Sequence, residues 1–393
     1  MRQLLEGSRA VVEAVRLCRP QVIAAYPITP QTHIIEHLAQ FVADGDLPAG
    51  FINAESEFGA ASVVLGAVAG GARAFTATAS QGLLLMTEVL YNIAGMRLPL
   101  VMVCANRAVS APINIFSDHQ DSMSVRDAGW VQLYVESNQE AVDTVIQAYR
   151  IAETCELPVM VCMDGFFLTH TFEPVEIPEQ AAVDEFLPPF HFARTLNPAQ
   201  PMTLGGGSEP DNYLEFRAAQ HQAMEQASEV IAAIDLDFGD HFGRSYGGLA
   251  EPYRLEGADT VMVTLGSTMG AVRDAADTLR GNGMPVGAVR LRCFRPFPAQ
   301  ALIHCLAGAK RVVVLEKAFS AGMGGIVSTE LRAALHQAGM PIPVESFIGG
   351  LGGRDLTPAV IEEIFHLAAS GKDFATSRFA GLDTGAMPSI EET

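Results

Sequence analysis

Short apolar segments alternate with amphipathic helical segments through the first 163 residues, and this alternation most constrains the fold. Repeated strand–helix units are typical of a parallel sheet covered by helices on both faces, so the fold class is α/β. The predicted strands are 21–26, 51–53, 74–79, 98–105, 130–135 and 158–163. The predicted helices are 6–18, 31–43, 57–70, 82–95 and 138–155.

A change of composition separates two such regions. Residues 171–257 are rich in proline and glycine, with one predicted helix at 214–234. A connection of this length is usually functional or forms an interface. From residue 259 strands and helices alternate again, interrupted by a predicted loop at 292–298. We expect an N-terminal α/β domain (1–170), a linker or crossover (171–257), a smaller C-terminal α/β domain (258–372) and a C-terminal tail (373–393).

The charge balance argues against nucleic acids and anionic membranes as partners. The 393 residues carry 45 acidic and 25 basic side chains, a net charge of −20, without a basic run. Nucleic acids and anionic membranes bind basic surfaces, so we expect neither partner. The longest uncharged stretch near the N-terminus, 58–72, has fifteen residues, whereas a membrane-spanning helix needs about 20. Without a signal-peptide core, a cytoplasmic protein is expected.

The cysteines and acidic motifs do not predict a metal site in this chain. Six cysteines are dispersed without a Cys-x-x-Cys pair, which is typical of reduced, buried thiols rather than cluster or zinc ligands. Asp118-His119-Gln120-Asp121 contains possible ligands, but nothing else in the sequence completes a ligand set. We therefore expect no metal ligands here.

Thr29 stands in a stiff turn between a predicted strand and a predicted helix. Pro27 and Pro30 flank it, fix two φ angles and disfavour helix in the residues before them. In open α/β sheets, ligands bind at the carboxyl ends of strands. Thr29 is therefore a candidate ligand-binding residue. The alternative, that it only caps the helix beginning near Gln31, is equally compatible with the spacing.

Glu57 opens a helix of small residues. No cation follows it until Arg73, so its carboxylate is expected to be partly desolvated, a condition that favours proton sharing. The alternative is an ordinary helix-terminal glutamate stabilised by the helix dipole. Gly66, Gly70 and Gly71 interrupt this helix, and tight packing of the helix on the sheet is the expected reason.

Three further polar residues follow predicted strands. Ser80 and Gln81 end one strand and either cap the next helix or line a pocket. Arg107 follows another strand, where a guanidinium can hold a carboxylate through two parallel hydrogen bonds. The alternative for Arg107 is a structural ion pair with an acidic side chain.

Five motifs occur in order: Tyr26-Pro27-Ile28-Thr29-Pro30, Glu55-Ser56-Glu57, Thr76-Ala77-Thr78-Ala79-Ser80-Gln81-Gly82-Leu83, Asn106-Arg107-Ala108-Val109-Ser110-Ala111-Pro112-Ile113-Asn114-Ile115 and Ser117-Asp118-His119-Gln120-Asp121. Together they resemble the α chain of 2-oxoacid:ferredoxin oxidoreductases, most closely the pyruvate:ferredoxin oxidoreductases. The similarity continues over nearly the whole chain, and the C-terminal domain resembles that of transketolase-like enzymes.

The resemblance implies a thiamine diphosphate (ThDP) enzyme in which this chain covers the cofactor's aminopyrimidine. By similarity, Glu57 bonds N1′ of that ring, and Thr29 and Arg107 hold the substrate carboxylate. The remaining cofactor-binding positions that the resemblance implies are Tyr26, Pro27, Ile28, Ser80 and Gln81.

The resemblance also implies partner subunits. A β subunit would hold the diphosphate, Mg²⁺ and a [4Fe-4S] cluster, since this chain lacks a Gly-Asp-Gly…Asn motif. A γ subunit and a ferredoxin-like δ subunit would complete the complex. The expected reaction is oxidative decarboxylation of pyruvate to acetyl-CoA, with coenzyme A as co-substrate and ferredoxin as electron acceptor. Alternatives are an aryl or branched-chain 2-oxoacid such as phenylglyoxylate, NAD as acceptor, a cluster-free ThDP enzyme, and a scaffold without turnover.

Overall fold

The computed structural model describes residues 2–370 and 377–387. In them the strands are β1 (Arg2–Glu6), β2 (Val22–Ala25), β3 (Gly50–Asn53), β4 (Ala74–Thr78), β5 (Val101–Asn106), β6 (Val131–Tyr134), β7 (Val159–Asp164), β8 (Phe172–Glu176), β9 (Ala250–Tyr253), β10 (Thr260–Thr264), β11 (Val286–Leu291), β12 (Cys293–Arg295), β13 (Arg311–Glu316), β14 (Phe319–Ser320), β15 (Gly324–Gly325), β16 (Val344–Ile348) and β17 (Arg378–Phe379).

The helices are α1 (Gly7–Leu17), α2 (Thr32–Asp44), α3 (Glu57–Ala69), α4 (Ser80–Leu85), α5 (Thr87–Gly95), α6 (Gln120–Ser124), α7 (Asn138–Cys155), α8 (Gln180–Phe186), α9 (Tyr213–Phe242), α10 (Thr268–Gly281), α11 (Ala299–Leu306), α12 (Ile326–Gln337) and α13 (Pro358–Ala369), with 3₁₀ turns at Leu351–Gly353 and Thr384–Ala386. None of the helices in these two ranges is long and apolar enough to cross a lipid bilayer.

The larger sheet has the strand order β12-β6-β7-β5-β4-β2-β3. Strands β2 to β7 in it are mutually parallel. The central strands β4, β5 and β7 are fully buried, as expected for a parallel sheet with helices on both faces. The predicted α/β class is confirmed. Because β2, β4 and β5 are neighbours, the turns that follow them meet at one edge of the sheet.

The predicted loop at 292–298 is wrong in one respect. Cys293–Arg295 forms β12, which pairs antiparallel with β6 at the edge of the larger sheet. A segment of the C-terminal region therefore completes the N-terminal sheet. Its three residues are too few for a periodic pattern, and Pro296 ends the strand, in keeping with the confinement of proline to sheet edges.

The second sheet has the order β17-β16-β13-β10-β11-β9, with only β9 antiparallel to its neighbour among these described strands. β9 comes from the predicted linker, and β17 comes from the predicted tail. Residues 371–376 and 388–393 of that region lie outside the described residues. The linker also supplies β8, which pairs antiparallel with β1. The domain boundaries at residues 170, 257 and 372 remain predictions.

Two predicted helices differ from the structure. The helix predicted over 82–95 is two helices, α4 and α5, that meet at Met86. The helix predicted over 214–234 extends to Phe242, where Gly243 ends it in the left-handed conformation. A glycine at that position satisfies the geometry of a helix C-terminus without a Cβ clash.

The glycines of α3 do not serve the expected helix–sheet packing. A Cβ placed on Gly66 would meet no atom within 4 Å. A Cβ on Gly70 would approach carbonyls of its own helix, and one on Gly71 would approach Thr195 of the linker. The prediction of tight packing on the sheet is therefore wrong for these three positions.

Candidate active site

The turn after β2 and the end of β5 meet as expected. Arg107 donates from Nη1 to the Thr29 carbonyl at 2.9 Å and from Nη2 to Gln81 Oε1 at 3.4 Å. Its side chain is buried, and that burial lowers the pKa of the guanidinium. Within the described ranges it forms no salt bridge with an acidic side chain. The ion-pair alternative is therefore absent there, and the charge remains available for an anionic ligand.

Thr29 does not cap the following helix. Helix α2 begins at Thr32, its N-cap is Gln31, and it has no side-chain cap hydrogen bond. Gln31 is fully buried and donates from Nε2 to the Ala77 carbonyl at 2.6 Å, which anchors the turn to β4. Thr29 is exposed at the carboxyl edge of the sheet, in the same turn as the exposed Tyr26 and Pro27 and the half-buried Ile28.

Asp121 connects the turns after β4 and β5 through hydrogen bonds to their backbone. The sequence did not predict this role. The carboxylate is fully buried. Its Oδ2 accepts hydrogen bonds from the backbone N–H of Ser80 at 2.9 Å and of Arg107 at 3.0 Å. Its Oδ1 accepts from Asn106 Nδ2 at 2.8 Å. With N–H donors around it, Asp121 positions two turns rather than binding a metal. Its place in the Ser117–Asp121 motif was the one signal in the sequence.

Ser80 and Gln81 form the wall between Arg107 and β4. Ser80 has a φ of +49°, a strained conformation for a residue with a side chain. Its hydroxyl donates to the Ala108 carbonyl at 2.5 Å and bonds Gln81 Oε1. The N-cap of α4 is Ala79, without a side-chain cap bond. Neither Ser80 nor Gln81 is therefore the N-cap. Gln81 contacts Arg107, and Ser80 bonds the carbonyl of the residue after it.

Glu57 is buried close to Gly82, the residue after Gln81, and has no partner among the described residues. Its side chain belongs to the first residue of α3, whose N-cap Ser56 accepts from the Gly59 N–H at 3.0 Å. Over residues 2–370 and 377–387, the Glu57 carboxylate takes part in no hydrogen bond or ion pair. A buried carboxylate without a partner is costly, and the dipole of α3 offsets only part of that cost.

Gly82 allows α4 to pack directly on the Glu57 carboxylate. A Cβ at Gly82 would lie 2.6 Å from Glu57 Oε1 and 2.6 Å from Thr78 Oγ1. Real Cβ atoms do not approach so closely, so only glycine fits without displacing Glu57. The structure therefore gives Gly82, the neighbour of Gln81, a role in fixing the position of this carboxylate.

Three buried polar atoms of β4 and α4 have no hydrogen-bond partner in the part of the chain that the structure describes: Thr76 Oγ1, Thr78 Oγ1 and Gln81 Nε2. Thr76 and Thr78 point to the same face of β4 because side chains alternate along a strand. Buried polar atoms are nearly always paired, so an unpaired set calls for an explanation. Of this set, Thr78 Oγ1 lies close to the Glu57 carboxylate, since both approach the position of a Cβ on Gly82. A hydroxyl and a carboxylate that lie together without partners fit a planar nitrogen heterocycle such as the ThDP aminopyrimidine.

A second buried network joins the Ser117–Asp121 motif to the C-terminal region. Asp164 at the end of β7 accepts from His119 Nε2 at 2.9 Å, from Lys317 Nζ at 3.2 Å and from the Ser267 backbone N–H at 2.7 Å. Burial alone would raise the pKa of Asp164, but Lys317 and His119 outweigh it and hold that pKa well below its usual range. The network fixes the loop that carries Asp121.

Two family models match the chain. Residues 13–235 match the family described as "Pyruvate flavodoxin/ferredoxin oxidoreductase, thiamine diP-bdg". Residues 258–361 match "Pyruvate:ferredoxin oxidoreductase core domain II". The first match includes Thr29, Glu57, Arg107 and Asp121, and the second covers most of the smaller sheet.

Curated relatives align over nearly their whole length. The pyruvate synthase subunit PorA of Methanosarcina barkeri is 49% identical over 94% of this chain and 94% of its own. That of Methanothermobacter thermautotrophicus is 49% identical over 92% of this chain and 94% of its own. The ketoisovalerate oxidoreductase subunit VorA of Pyrococcus horikoshii is 43% identical over 95% of this chain and 96% of its own.

A solved structure shares the fold. The 2-oxoglutarate:ferredoxin oxidoreductase from Magnetococcus marinus, with 2-oxoglutarate, coenzyme A and succinyl-CoA bound, matches with a TM-score of 0.73 and 22% identity. The match covers 93% of this chain and 65% of that chain. The chain therefore belongs to the pyruvate flavodoxin/ferredoxin oxidoreductase family, as its five sequence motifs predicted.

Proposed function

We propose that this chain is the α-type subunit of a pyruvate:ferredoxin oxidoreductase. The complex would convert pyruvate and coenzyme A to acetyl-CoA and CO₂ and pass two electrons to ferredoxin. One observation carries the proposal. The buried Glu57 carboxylate, unpaired among the described residues, lies against Gly82, and the neighbouring Gln81 contacts the buried Arg107 guanidinium, which forms no salt bridge among those residues. This arrangement supplies a proton-handling group and an anion-binding group at one sheet edge.

Each residue of this edge has a role in the proposal. Glu57 would bond N1′ of the aminopyrimidine and hold or release a proton there. Arg107 and Thr29 would bind the substrate carboxylate, since the Arg107–Thr29 hydrogen bond already orients the guanidinium. ThDP, when bound, supplies the electron sink for cleavage of the bond to CO₂. The remaining lining positions are Tyr26, Pro27, Ile28, Ser80 and Gln81.

The other half of the site would come from partner subunits. We assign the diphosphate, Mg²⁺ and a [4Fe-4S] cluster to a β subunit, and further electron transfer to γ and ferredoxin-like δ subunits in the cytoplasm. Four of the six cysteines, Cys18, Cys104, Cys162 and Cys293, are buried as free thiols. Burial raises the pKa of Cys162 and of Cys293. Such thiols are poor cluster ligands, which supports placing the clusters on other chains.

A branched-chain 2-oxoacid is the second candidate substrate. The observation in its favour is the 43% identity to a ketoisovalerate oxidoreductase subunit, close to the 49% identity to the pyruvate synthase subunits. Aryl 2-oxoacids such as phenylglyoxylate, NAD as acceptor and a cluster-free ThDP enzyme are the further alternatives. The higher identity to pyruvate synthase subunits supports pyruvate.

Comparing substrates on the purified native complex tests the proposal. With coenzyme A and ferredoxin present, we expect pyruvate to give the highest kcat/KM and to form acetyl-CoA in step with ferredoxin reduction. 2-Oxoisovalerate, 2-oxoglutarate and phenylglyoxylate are the comparison substrates. A higher kcat/KM with 2-oxoisovalerate would assign the chain to the branched-chain enzymes instead. Oxidation that proceeds without coenzyme A would contradict the reaction proposed.

Replacing Gly82 with alanine tests the packing against Glu57. The new Cβ must push the Glu57 carboxylate aside, and a displacement of about 1 Å in an active site can cost roughly 10²-fold in rate. We expect kcat of the complex to fall by about that factor. Overpacking should also lower the free energy of unfolding by about 1–3 kcal/mol, as measured by denaturant titration.

Gly270→Ala is the matched control for this substitution. Gly270 lies inside α10, and a Cβ there would meet no atom within 4 Å. Alanine should leave kcat unchanged and raise the free energy of unfolding by up to about 1 kcal/mol through helix propensity. If Gly82→Ala behaves like Gly270→Ala, the close approach to Glu57 is not important for turnover.

A further inference from the structure

Two histidines and a glutamate form a cluster that has no role in the proposed function. Glu6, His33 and His170 each offer a ligand atom, and these atoms all lie within 4.8 Å of one another. His33 Nδ1 lies 2.8 Å from Glu6 Oε1, and the rings of His33 and His170 lie 4.7 Å apart. We propose that this cluster binds a divalent transition-metal ion of the zinc class.

Backbone hydrogen bonds between two neighbouring chain segments hold the ligands Glu6 and His170 in place. Glu6 ends β1, and His170 precedes β8, the strand with which β1 pairs. Directly after Glu6, the Gly7 N–H donates to the Thr171 carbonyl at 3.2 Å and the Ser8 N–H donates to the Thr169 carbonyl at 2.9 Å. Backbone hydrogen bonds next to both residues therefore hold Glu6 at the end of β1 close to His170 in the turn before β8.

The third ligand comes from α2, and a fourth candidate lies one turn further along it. His33 is in the first turn of α2, and His37 follows at the i+4 position, on the same helix face. His37 Nε2 lies 4.0 Å from Glu6 Oε2. Both rings are part-exposed, so an ion can enter from solution. A site of two or three imidazoles and one carboxylate results.

The environment of His170 resembles that of a metal-bound histidine. Its Nδ1 lies 2.7 Å from Thr169 Oγ1, and this oxygen also accepts from the Phe166 N–H at 2.8 Å. The ring is further held by Phe166, 4.6 Å away between centroids. In a metal-bound histidine, one ring nitrogen binds the metal and the other usually bonds a fixed partner, which orients the ring. In His170, Nδ1 has the partner Thr169, so Nε2 is free to bind the metal.

The donor set selects the class of metal. Imidazole nitrogens with one carboxylate suit zinc and its first-row neighbours, whereas Mg²⁺ and Ca²⁺ prefer oxygen ligands. The nearby cation Arg9 is already paired with Glu13 at 2.8 Å, which limits its repulsion of a bound ion. The sequence interpretation expected no metal because these ligands are separated by up to 164 positions along the chain.

Bound metal would tie the start of α2 to β1 and β8. Helix α2 begins three residues after Thr29, so the ion would stiffen the turn that carries Thr29 without touching it. A ligand that binds only the folded state raises the free energy of unfolding with the logarithm of its concentration relative to Kd. Zinc should therefore raise the Tm of this chain.

The test uses the full-length chain without a polyhistidine tag, stripped with EDTA. Zinc binding is measured by equilibrium dialysis and elemental analysis, and ligand type by the visible spectrum of the Co²⁺ form. We expect one zinc per chain, a Co²⁺ spectrum of nitrogen and oxygen ligation, and a higher Tm with zinc. His33→Gln and His170→Gln should each weaken binding by at least about tenfold and remove the Tm shift.

His221→Gln is the matched control. His221 is an exposed histidine on α9, 3.5 Å from Glu225, and its replacement should leave zinc binding unchanged. Circular dichroism of the metal-free variants confirms that each is folded. The proposal is overturned if the wild-type chain binds no zinc, if the His33 and His170 variants bind it as the wild type does, or if blocking thiols removes binding that these variants retain.

Discussion

Replacing Glu57 with glutamine is expected to lower turnover of the assembled complex by roughly 10²–10⁴-fold, the usual contribution of a proton-transferring side chain. Glutamine keeps the shape that packs against Gly82 but cannot exchange the proton. The Glu57 carboxylate is 6% exposed and has no partner within the described residues, so no neighbouring group stands ready to replace it. The measurement is kcat for pyruvate-dependent ferredoxin reduction at saturating ThDP.

Glu88→Gln is the control for this substitution. Glu88 also lies in the first turn of a helix, α5, but it is exposed. If Glu57 only stabilises the start of α3 through the helix dipole, both variants should lose a similar, small amount of stability and retain activity. Activity of Glu57→Gln near that of the wild type, with ThDP bound, would remove Glu57 from the proposed role.

Arg107→Ala is expected to weaken binding of the 2-oxoacid by roughly 2–5 kcal/mol, the range for loss of one partner of a desolvated charge pair. The guanidinium is buried and forms no salt bridge among the described residues, although Asp121 acts on it electrostatically. A substrate carboxylate would therefore be its direct counter-ion. KM for pyruvate should rise while KM for coenzyme A stays the same. Arg107→Lys keeps the charge but loses the planar fork, so its KM for pyruvate should lie between those of the wild type and Arg107→Ala.

Arg97→Ala separates substrate binding from loss of a structural arginine. Arg97 donates to the carbonyls of Glu156 and Cys155 at 2.9 and 2.7 Å, contacts of the same kind as that between Arg107 and Thr29. It should lower stability without changing KM for pyruvate. An unchanged KM and kcat in Arg107→Ala would show that another group binds the substrate carboxylate.

The sequence predicted which site residues share one edge of the sheet, because this depends only on which residues follow parallel strands. Thr29, Ser80 and Arg107 each follow an apolar strand, and the carboxyl ends of parallel strands share one edge. Their approximate meeting place therefore needed no side-chain detail. The same periodic signal predicted a helix over 138–155, the bounds that α7 has in the structure.

Contacts between distant segments could not be predicted in this way. Asp121 binds Ser80, 41 residues earlier, and nothing in a polar loop indicates which backbone N–H groups its carboxylate will meet. The pairing of β12 with β6 likewise joins segments that no local pattern connects. The contact between Gly82 and Glu57 likewise emerged only from the packing of α4 on α3.

The central claim is that this chain supplies half of a ThDP site to an iron–sulfur complex. The most direct test is to tag the chain in its native host, purify it without oxygen and measure iron and ThDP per copy. We expect co-purifying subunits, bound ThDP and several iron atoms for each ThDP. ThDP without iron would contradict it in favour of a cluster-free enzyme, and a stable assembly with neither would remove the chain from ThDP chemistry.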